Sequence, residues 1–321
     1  MADYTVKGIW GLLKRSGMEF SDNDSLRLAA ALAFNAIFSI PPLLIIIIRA
    51  AGYFFGEEAV SGRLADQISS AVGPQAAEEV QNIVQNAQIN AAGGLHLWIG
   101  VGTLLFASTT FFATLQQSLN SIWNLKVKPT NGILRMAKER VFSFGIILSI
   151  AFLMLMSFVI SAVISILSDY ISGMLPADIW FWAIKLVDFV VSVGLISTLF
   201  ALIYKYLPDA YIRWRDTLVG AFVTALLFTI GKFLISWYLS TSDPGSAYGA
   251  AGSVILILVW IYYSSLIVFF GAEFTQQYAE KYGQRVRPKP HAVFVEQREV
   301  INEPHDTKSG RPKPQGRYQP K

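Results

Sequence analysis

The sequence lacks cysteine altogether and contains few charged residues. Without cysteine, its 321 residues can form no disulfide framework, thiolate nucleophile or cysteine-ligated metal site. Charged residues make up 15% of the chain, whereas a soluble domain carries about 25%. Hydrophobic residues make up 53%, and the mean hydropathy is +0.45. These proportions predict a polytopic membrane protein.

Histidine is almost as rare, since the sequence contains only His96, His291 and His305. Three histidines this far apart cannot supply the dense His/Asp cluster that a two-metal hydrolase needs. The sequence also contains no Ser-His-Asp arrangement, Walker loop or GxGxxG motif. We therefore predict that the chain is not an enzyme and that it holds no metal and no cofactor.

Six apolar stretches are each long enough to cross a bilayer, which takes about 20 helical residues. They lie at about 28–50, 95–117, 141–168, 181–204, 217–240 and 250–273. Because these runs are continuous and not alternating, they favour helices over a β-barrel. The predicted fold is all-α, a polytopic membrane protein with six transmembrane helices in a membrane domain of residues 1–282.

Basic residues are confined to alternate loops. Segments 1–27, 123–140, 205–215 and 275–321 hold 22 of the 26 Lys and Arg residues, and the intervening loops hold only Arg63. Cytoplasmic loops carry such an excess, so both termini are predicted to be cytoplasmic. This placement explains the net charge of +4 without a nucleic-acid partner. The start of the chain has no signal-peptide pattern and predicts an amphipathic helix in the headgroup region.

Two segments lie outside the predicted spans. The outer loop, 56–94, has two apolar stripes at helical spacing separated by Gly73-Pro74, which predicts a helical hairpin. This hairpin either covers the bundle or acts as a gate or partner site. Residues 283–321 are rich in proline and charge and predict a disordered basic tail. The tail either orients the chain and contacts anionic headgroups, or docks a protein.

Ionisable residues within spans are costly unless they are paired or hydrated, and they therefore mark candidate functional positions. Lys232, Lys185 and Asp188 are predicted in the outer half of the membrane, and Arg49 at its outer edge. One interpretation is a water-accessible basic site for an anionic substrate or lipid headgroup. The other is structural: Asp188 pairs with a lysine, and Arg49 extends to the interface.

The first predicted span contains the pair Pro41-Pro42, with Asn35 preceding it. Each proline lacks an N–H, so the carbonyls about four residues earlier lose their helical partners and need others within lipid. We therefore predict a proline-broken first span. The break is either a kink packed against other helices or a backbone element of the substrate site, near Lys232 and Asp188.

A second polar set is predicted near the cytoplasmic side. Gln116 and Asn120 are four residues apart and share a helix face, and Glu273 lies near the inner end of the sixth span. Amides of this kind form either interhelical hydrogen bonds or a ligand site. For Glu273 we predict a structural ion pair with Arg213 or Arg215.

Four segments together resemble the YihY/BrkB family of bacterial inner-membrane proteins over about residues 5–282. They are "AAALAFNAIFSIPPLL", "LQQSLNSIWN", "YIRWRDTLVGAFVTALLF" and "SAYGAAGSVILILVWIYYSSLIVFFGAEF", in that order. The resemblance implies a multi-pass protein of the bacterial inner membrane with six helices. Members of the family have been linked to serum resistance, to export of envelope lipid or lipopolysaccharide, and to a ribonuclease label that the scarcity of histidine argues against.

Two functions follow from these observations. The first is transport or translocation of an anionic amphiphile, such as a lipid or lipid-linked substrate, in envelope biogenesis, because a broken helix and buried charges characterise carriers. The second is a non-transporting scaffold or regulator of envelope assembly that binds partners through its hairpin and tail. The partners predicted for these two functions are membrane lipids and, for the scaffold, proteins that bind the hairpin or the tail.

Overall fold

The computed structural model describes residues 6–72, 95–128, 177–242 and 252–295, together with four single residues elsewhere. The helices are α1 (Val6–Asp22), α2 (Ser25–Phe55), α3 (Glu57–Val72), α4 (Leu95–Ile122), α5 (Ala177–Tyr206), α6 (Trp214–Ser242) and α7 (Gly252–Tyr282). The strands are β1 (Leu125–Val127), β2 (Ala210–Tyr211), β3 (Arg287–Pro288) and β4 (Ala292–Phe294). Helix dominates the described chain, which agrees with the predicted fold class.

Three of the described helices are long and apolar enough to cross a membrane. The apolar segments are Ile184–Tyr206 in α5, Trp214–Tyr238 in α6 and Val254–Tyr282 in α7. Helices α2 and α4 cover the first two predicted spans, and α3 forms the first half of the predicted hairpin. The predicted third span, 141–168, and the rest of the hairpin lie outside the described ranges, so the count of six spans stays a prediction.

The predicted break in the first span is absent, because α2 is one helix from Ser25 to Phe55 and passes through Pro41-Pro42. Each proline removes only its own N–H donor. The helical hydrogen bonds before and after the two prolines remain, so the helix continues through them. In a segment bordered by lipid, abandoning the helix would free many more backbone groups than the prolines do. The continuous helix is therefore the less costly conformation.

The helices pack in a continuous series. Helix α2 packs against α4 and α7, α7 packs against α6, and α6 packs against α5. Their shared core includes Leu32, Leu119 and Tyr204, all buried. Glycine allows a close approach of α6 and α7: a Cβ at Gly271 would lie 2.0 Å from Thr224 Oγ1, and such small residues let membrane helices pack closely.

The strands connect the ends of several helices. Strand β4 pairs antiparallel with β1, which follows α4, and β3 pairs antiparallel with β2, which lies between α5 and α6. Helix α1 packs near the same end, where Leu12 lies against Phe274 and Tyr278 of α7. Lys281 Nζ also donates to the Gly8 carbonyl at 2.8 Å. We call this end of the bundle the strand end.

The ordered strands differ from the prediction of a disordered tail that begins at residue 283. Val286 and Ala292 are buried, and the Lys289 amide donates to the Asp209 carbonyl at 2.9 Å. The partners of β3 and β4 lie far earlier in the chain, so no local periodicity reveals the pairing. Residues 286–295 are therefore packed against the rest of the bundle.

Candidate functional site

Lys232 lies where the buried face of α6 meets its exposed face. Gly231 and Ile235 are buried, Lys232 is half-buried, and Phe233 is 70% exposed. Within the described part of the chain, the Lys232 ammonium has no hydrogen-bond or ion-pair partner. Eighteen residues separate it from Trp214, which places it about 27 Å along α6, toward the end opposite the strands.

Two further polar atoms without partners lie on the neighbouring helices. Trp260 Nε1 of α7 and Ser39 Oγ of α2 are buried and form no hydrogen bond with any described residue. The Trp260 ring contacts Phe228 edge-on, with 6.2 Å between ring centroids, and Phe228 lies one turn before Lys232. Trp260 and Ile40 both pack against a buried cluster of Ala33, Ala36 and Ile261.

The other residues predicted for this site have different surroundings. Asn35 Nδ2 donates to Thr114 Oγ1 of α4 at 3.1 Å, which is an interhelical packing bond. Lys185 is exposed on α5, with its ammonium 6.0 Å from the centre of the Trp182 ring. The side chains of Arg49, Asp188, Pro41 and Pro42 lie outside the described residues. A pairing of Asp188 with a lysine therefore stays a prediction.

Trp260 was not predicted from the sequence. Its indole N–H is the only side-chain polar group in the run "VILILVWI", and a tryptophan in such a run ordinarily indicates packing against lipid or core. What distinguishes it is an N–H that is buried and unpaired, and only tertiary packing reveals that.

The inner polar residues Gln116 and Asn120 share one face of α4, as predicted, and both contact Asp209. Asn120 Nδ2 donates to Asp209 Oδ2 at 2.8 Å, and Asn120 Oδ1 accepts from the Asp209 backbone N–H at 2.8 Å. Gln116 Nε2 donates to the same carboxylate oxygen at 3.3 Å. Asp209 is only 6% exposed, so these amides replace the water that its charge would otherwise bind.

The C-terminal strands complete this cluster. His291 Nε2 lies 2.8 Å from Asp209 Oδ1, and Lys289 Nζ donates to the Pro208 carbonyl at 2.8 Å. Burial lowers the pKa of Lys289, the charge of Asp209 opposes this, and Lys205 lowers it further. No cluster of histidine and acidic side chains that could hold a metal occurs among the described residues. We call Gln116, Asn120, Asp209 and His291 the Asp209 hub.

Glu273 does not join the Asp209 hub. Its buried carboxylate accepts a hydrogen bond at Oε1 from Asn23 Nδ2 at 2.7 Å, in the turn between α1 and α2. Its Oε2 has no partner among the described residues. The predicted ion pair with Arg213 or Arg215 is wrong, because both arginines are exposed near the start of α6, whereas Glu273 faces the α1–α2 turn.

Comparison with known proteins places the chain among bacterial membrane proteins. It matches the family described as Virulence factor BrkB over residues 17–295, a segment that includes both C-terminal strands. A UPF0761 membrane protein of Mannheimia succiniciproducens is 28% identical over 268 residues, which cover 80% of this chain and 85% of the relative.

Two further relatives have the same description. A UPF0761 membrane protein of Haemophilus influenzae is 27% identical, over 79% of this chain and 90% of the relative. Another, from Idiomarina loihiensis, is 26% identical, over 87% of this chain and 94% of the relative. No solved structure matches the chain. Since the match spans most of the sequence, the chain is a membrane protein that belongs to the BrkB family, as its four motifs predict.

Proposed function

We propose that this integral membrane protein translocates an anionic amphiphile, such as a lipid, across the bacterial inner membrane in envelope biogenesis. The observation that supports this proposal is the position of Lys232, whose ammonium has no partner among the described residues and lies at the edge of an exposed apolar surface of α6. An amphiphile has a charged head and apolar chains. Its head would bind Lys232, and its chains would lie along exposed apolar residues of α6 such as Phe233 and Leu234.

The surroundings of Lys232 favour an anion over a neutral headgroup. A cation inside a membrane costs several kcal/mol unless it is paired or hydrated, so an anionic group that neutralises Lys232 recovers part of that cost. The Trp260 N–H, which is buried and unpaired, offers a second donor. A phosphate oxygen can accept from both an ammonium and an indole N–H.

The proposed orientation places the strand end in the cytoplasm, with both termini inside. The described basic residues near this end include Lys126, Lys128, Lys205, Arg213, Arg215, Lys281, Arg285, Arg287 and Lys289. Cytoplasmic segments of membrane proteins carry such an excess of Lys and Arg. In this orientation Lys232 lies nearer the outer side of the membrane.

The test is lipid translocation in reconstituted vesicles. Purified protein is placed in vesicles that contain a fluorescent phosphatidylglycerol, and transbilayer movement is followed by quenching of the outer-leaflet dye. Lys232→Met removes the charge, Lys232→Arg retains it, and Lys14→Met removes an exposed charge of α1. Loss of one charge-assisted contact is worth about 1.5–3 kcal/mol, so Lys232→Met should slow translocation about tenfold or more.

The proposal predicts that Lys232→Arg and Lys14→Met stay near the wild-type rate. It also predicts that a fluorescent phosphatidylcholine, which has no net charge, moves more slowly than phosphatidylglycerol. Wild-type vesicles that behave like protein-free vesicles would refute translocation. A folded Lys232→Met variant with the wild-type rate would refute the role of the lysine.

A second candidate is a non-transporting scaffold of envelope assembly. Exposed aromatic residues at the strand end favour it, because Tyr211, Trp214 and Phe294 lie there among the basic residues. Aromatic and basic side chains are enriched in protein interfaces. For a scaffold, Lys232→Met would retain function in cells, whereas Tyr211→Ser with Phe294→Ser would lose it. The translocator predicts the reverse.

A further inference from the structure

Trp214, the first residue of α6, is exposed and yet held in place by the end of α5. Its ring packs edge-on against the Tyr206 ring, with 5.9 Å between ring centroids, and Lys205 Nζ lies 5.6 Å from its centre. The Lys205 ammonium also donates to the Ile212 carbonyl. Trp214 nevertheless stays 45% exposed. The indole is therefore a fixed aromatic surface that is open to a ligand.

The exposed charge beside this ring is positive. Arg213 directly precedes Trp214 and Arg215 directly follows it, and both side chains are exposed. Neither guanidinium has a hydrogen-bond or ion-pair partner among the described residues. The acids closest in sequence, Asp209 and Asp216, are buried and accept hydrogen bonds from other parts of the chain. Both arginines are therefore available to an external anion.

An exposed apolar stripe continues from Trp214 along α6. Leu218 and Phe222 follow at intervals of four residues, so the three side chains share one helix face. Trp214 also begins the apolar segment Trp214–Tyr238, and the neighbouring segment, Ile184–Tyr206, ends beside it. Tryptophan and tyrosine are enriched where membrane helices meet the lipid headgroups. The ring thus lies at the ends of two apolar segments, where headgroups give way to acyl chains.

We propose that Arg213, Trp214 and Arg215 form a binding site for an anionic phospholipid. One guanidinium binds two oxygens of the phosphate, and the other arginine adds to the positive charge. The Trp214 ring lies against the glycerol region, and an acyl chain follows Leu218 and Phe222. A water-soluble protein partner fits this surface less well, because its apolar part runs along a segment suited to cross the membrane. We call it the Trp214 site.

The Trp214 site is separate from Lys232. Eighteen residues of α6 lie between the two positions, which corresponds to about 27 Å along the helix axis. One phospholipid headgroup cannot contact both. The inference therefore does not rest on the proposed translocation, and a protein that translocates nothing would still bind a lipid here.

Quenching of tryptophan fluorescence measures which lipid occupies the site. Full-length protein is placed in phosphatidylcholine vesicles in which a fixed fraction of lipid carries a spin label near the ester end of its acyl chain. The labelled lipid is either phosphatidylglycerol or phosphatidylcholine. Because the chain has 8 tryptophans, the emission of Trp214 is obtained as the difference between the wild-type protein and Trp214→Phe.

Labelled phosphatidylglycerol should quench the Trp214 emission more strongly than labelled phosphatidylcholine, which has no net charge. A basic residue near anionic lipid favours binding about fivefold, so Arg213→Gln with Arg215→Gln should lower the preference about fivefold or more. The matched control, Lys126→Gln with Lys128→Gln, removes two charges of β1 at the same end of the bundle and should keep the preference. Lys232→Met should keep it as well, which separates this result from the test of translocation.

Equal quenching by the two lipids in the wild-type protein, or an unchanged preference in the double arginine variant, would overturn the proposal. Absence of quenching by either lipid would also overturn it and would favour a protein partner for this surface. Native mass spectrometry in detergent gives a second measurement that does not need Trp214→Phe. After addition of phosphatidylglycerol, the wild-type protein should retain more of this lipid than the double arginine variant, and equal retention would refute the site.

Discussion

Substitution of Asn120 by alanine tests whether the Asp209 hub holds the strand end together. Asn120 is the one hub residue that bonds both the carboxylate and the backbone N–H of Asp209, each at 2.8 Å. Asp209 precedes β2, and its backbone carbonyl accepts from the Lys289 amide beside β3. Removal of the Asn120 side chain should therefore loosen both the segment around Asp209 and the pairing of β2 with β3.

The size of the effect follows from the two bonds. A hydrogen bond to a charged group contributes about 1.5–3 kcal/mol and one between neutral groups about 1 kcal/mol. Because Asp209 is buried, water can replace these two hydrogen bonds only after the segment between α5 and α6 opens. We expect Asn120→Ala to favour local opening by about 3 kcal/mol, which corresponds to a factor of about one hundred in the opening equilibrium.

Gln116→Ala is the matched control. Gln116 is also an amide of α4 and contacts the same carboxylate oxygen, but at 3.3 Å and through one bond only. Its removal should cost about 1 kcal/mol or less, since long and partly solvated bonds contribute little. The expected increase in opening is therefore about fivefold or smaller.

The measurement is thiol labelling. Ala210 of β2 is 2% exposed, so Ala210→Cys reports opening of the strand pair. Its labelling rate should rise about one hundredfold with Asn120→Ala and only slightly with Gln116→Ala. Equal rates in the two variants would refute the reasoning, as would an Asn120→Ala variant that labels as slowly as the parent protein.

Two further predictions concern the packing of the helices and the boundary of the tail. Gly271→Ala should lower thermal stability in detergent markedly, because the new Cβ would lie 2.0 Å from Thr224 Oγ1 and overpacking costs about 1–3 kcal/mol. Gly194→Ala, where no atom lies within 4 Å, should leave the melting temperature within error. Removal of residues 296–321 should leave the thermal midpoint unchanged, whereas removal of 284–321 deletes β3 and β4 and should lower it. Equal midpoints for the two truncations would show that the strands add no stability.

Local pattern and composition determined much of this protein. Long apolar runs predict helices because a backbone in lipid must satisfy its own hydrogen bonds, and α2, α4, α5, α6 and α7 lie where five of the six runs predict them. The four-residue spacing of Gln116 and Asn120 placed both amides on one face, as α4 confirms. The motifs predicted the BrkB family correctly.

Tertiary structure alone decided which groups meet. Asp209, His291 and the C-terminal strands are distant in sequence, and their bonds depend on chain segments that only folding brings together. The ion pair predicted for Glu273 failed for the same reason, because a helix pattern cannot say which neighbour covers a given face. Lys232 appeared in the sequence as a costly charge, but its lack of a partner among the described residues, and the contact between Phe228 and Trp260 one turn away, depend on how α6 and α7 pack. Sequence periodicity shows which residues face away from water. The hydrogen-bond and ion-pair partners of those residues depend on which helices pack against each other.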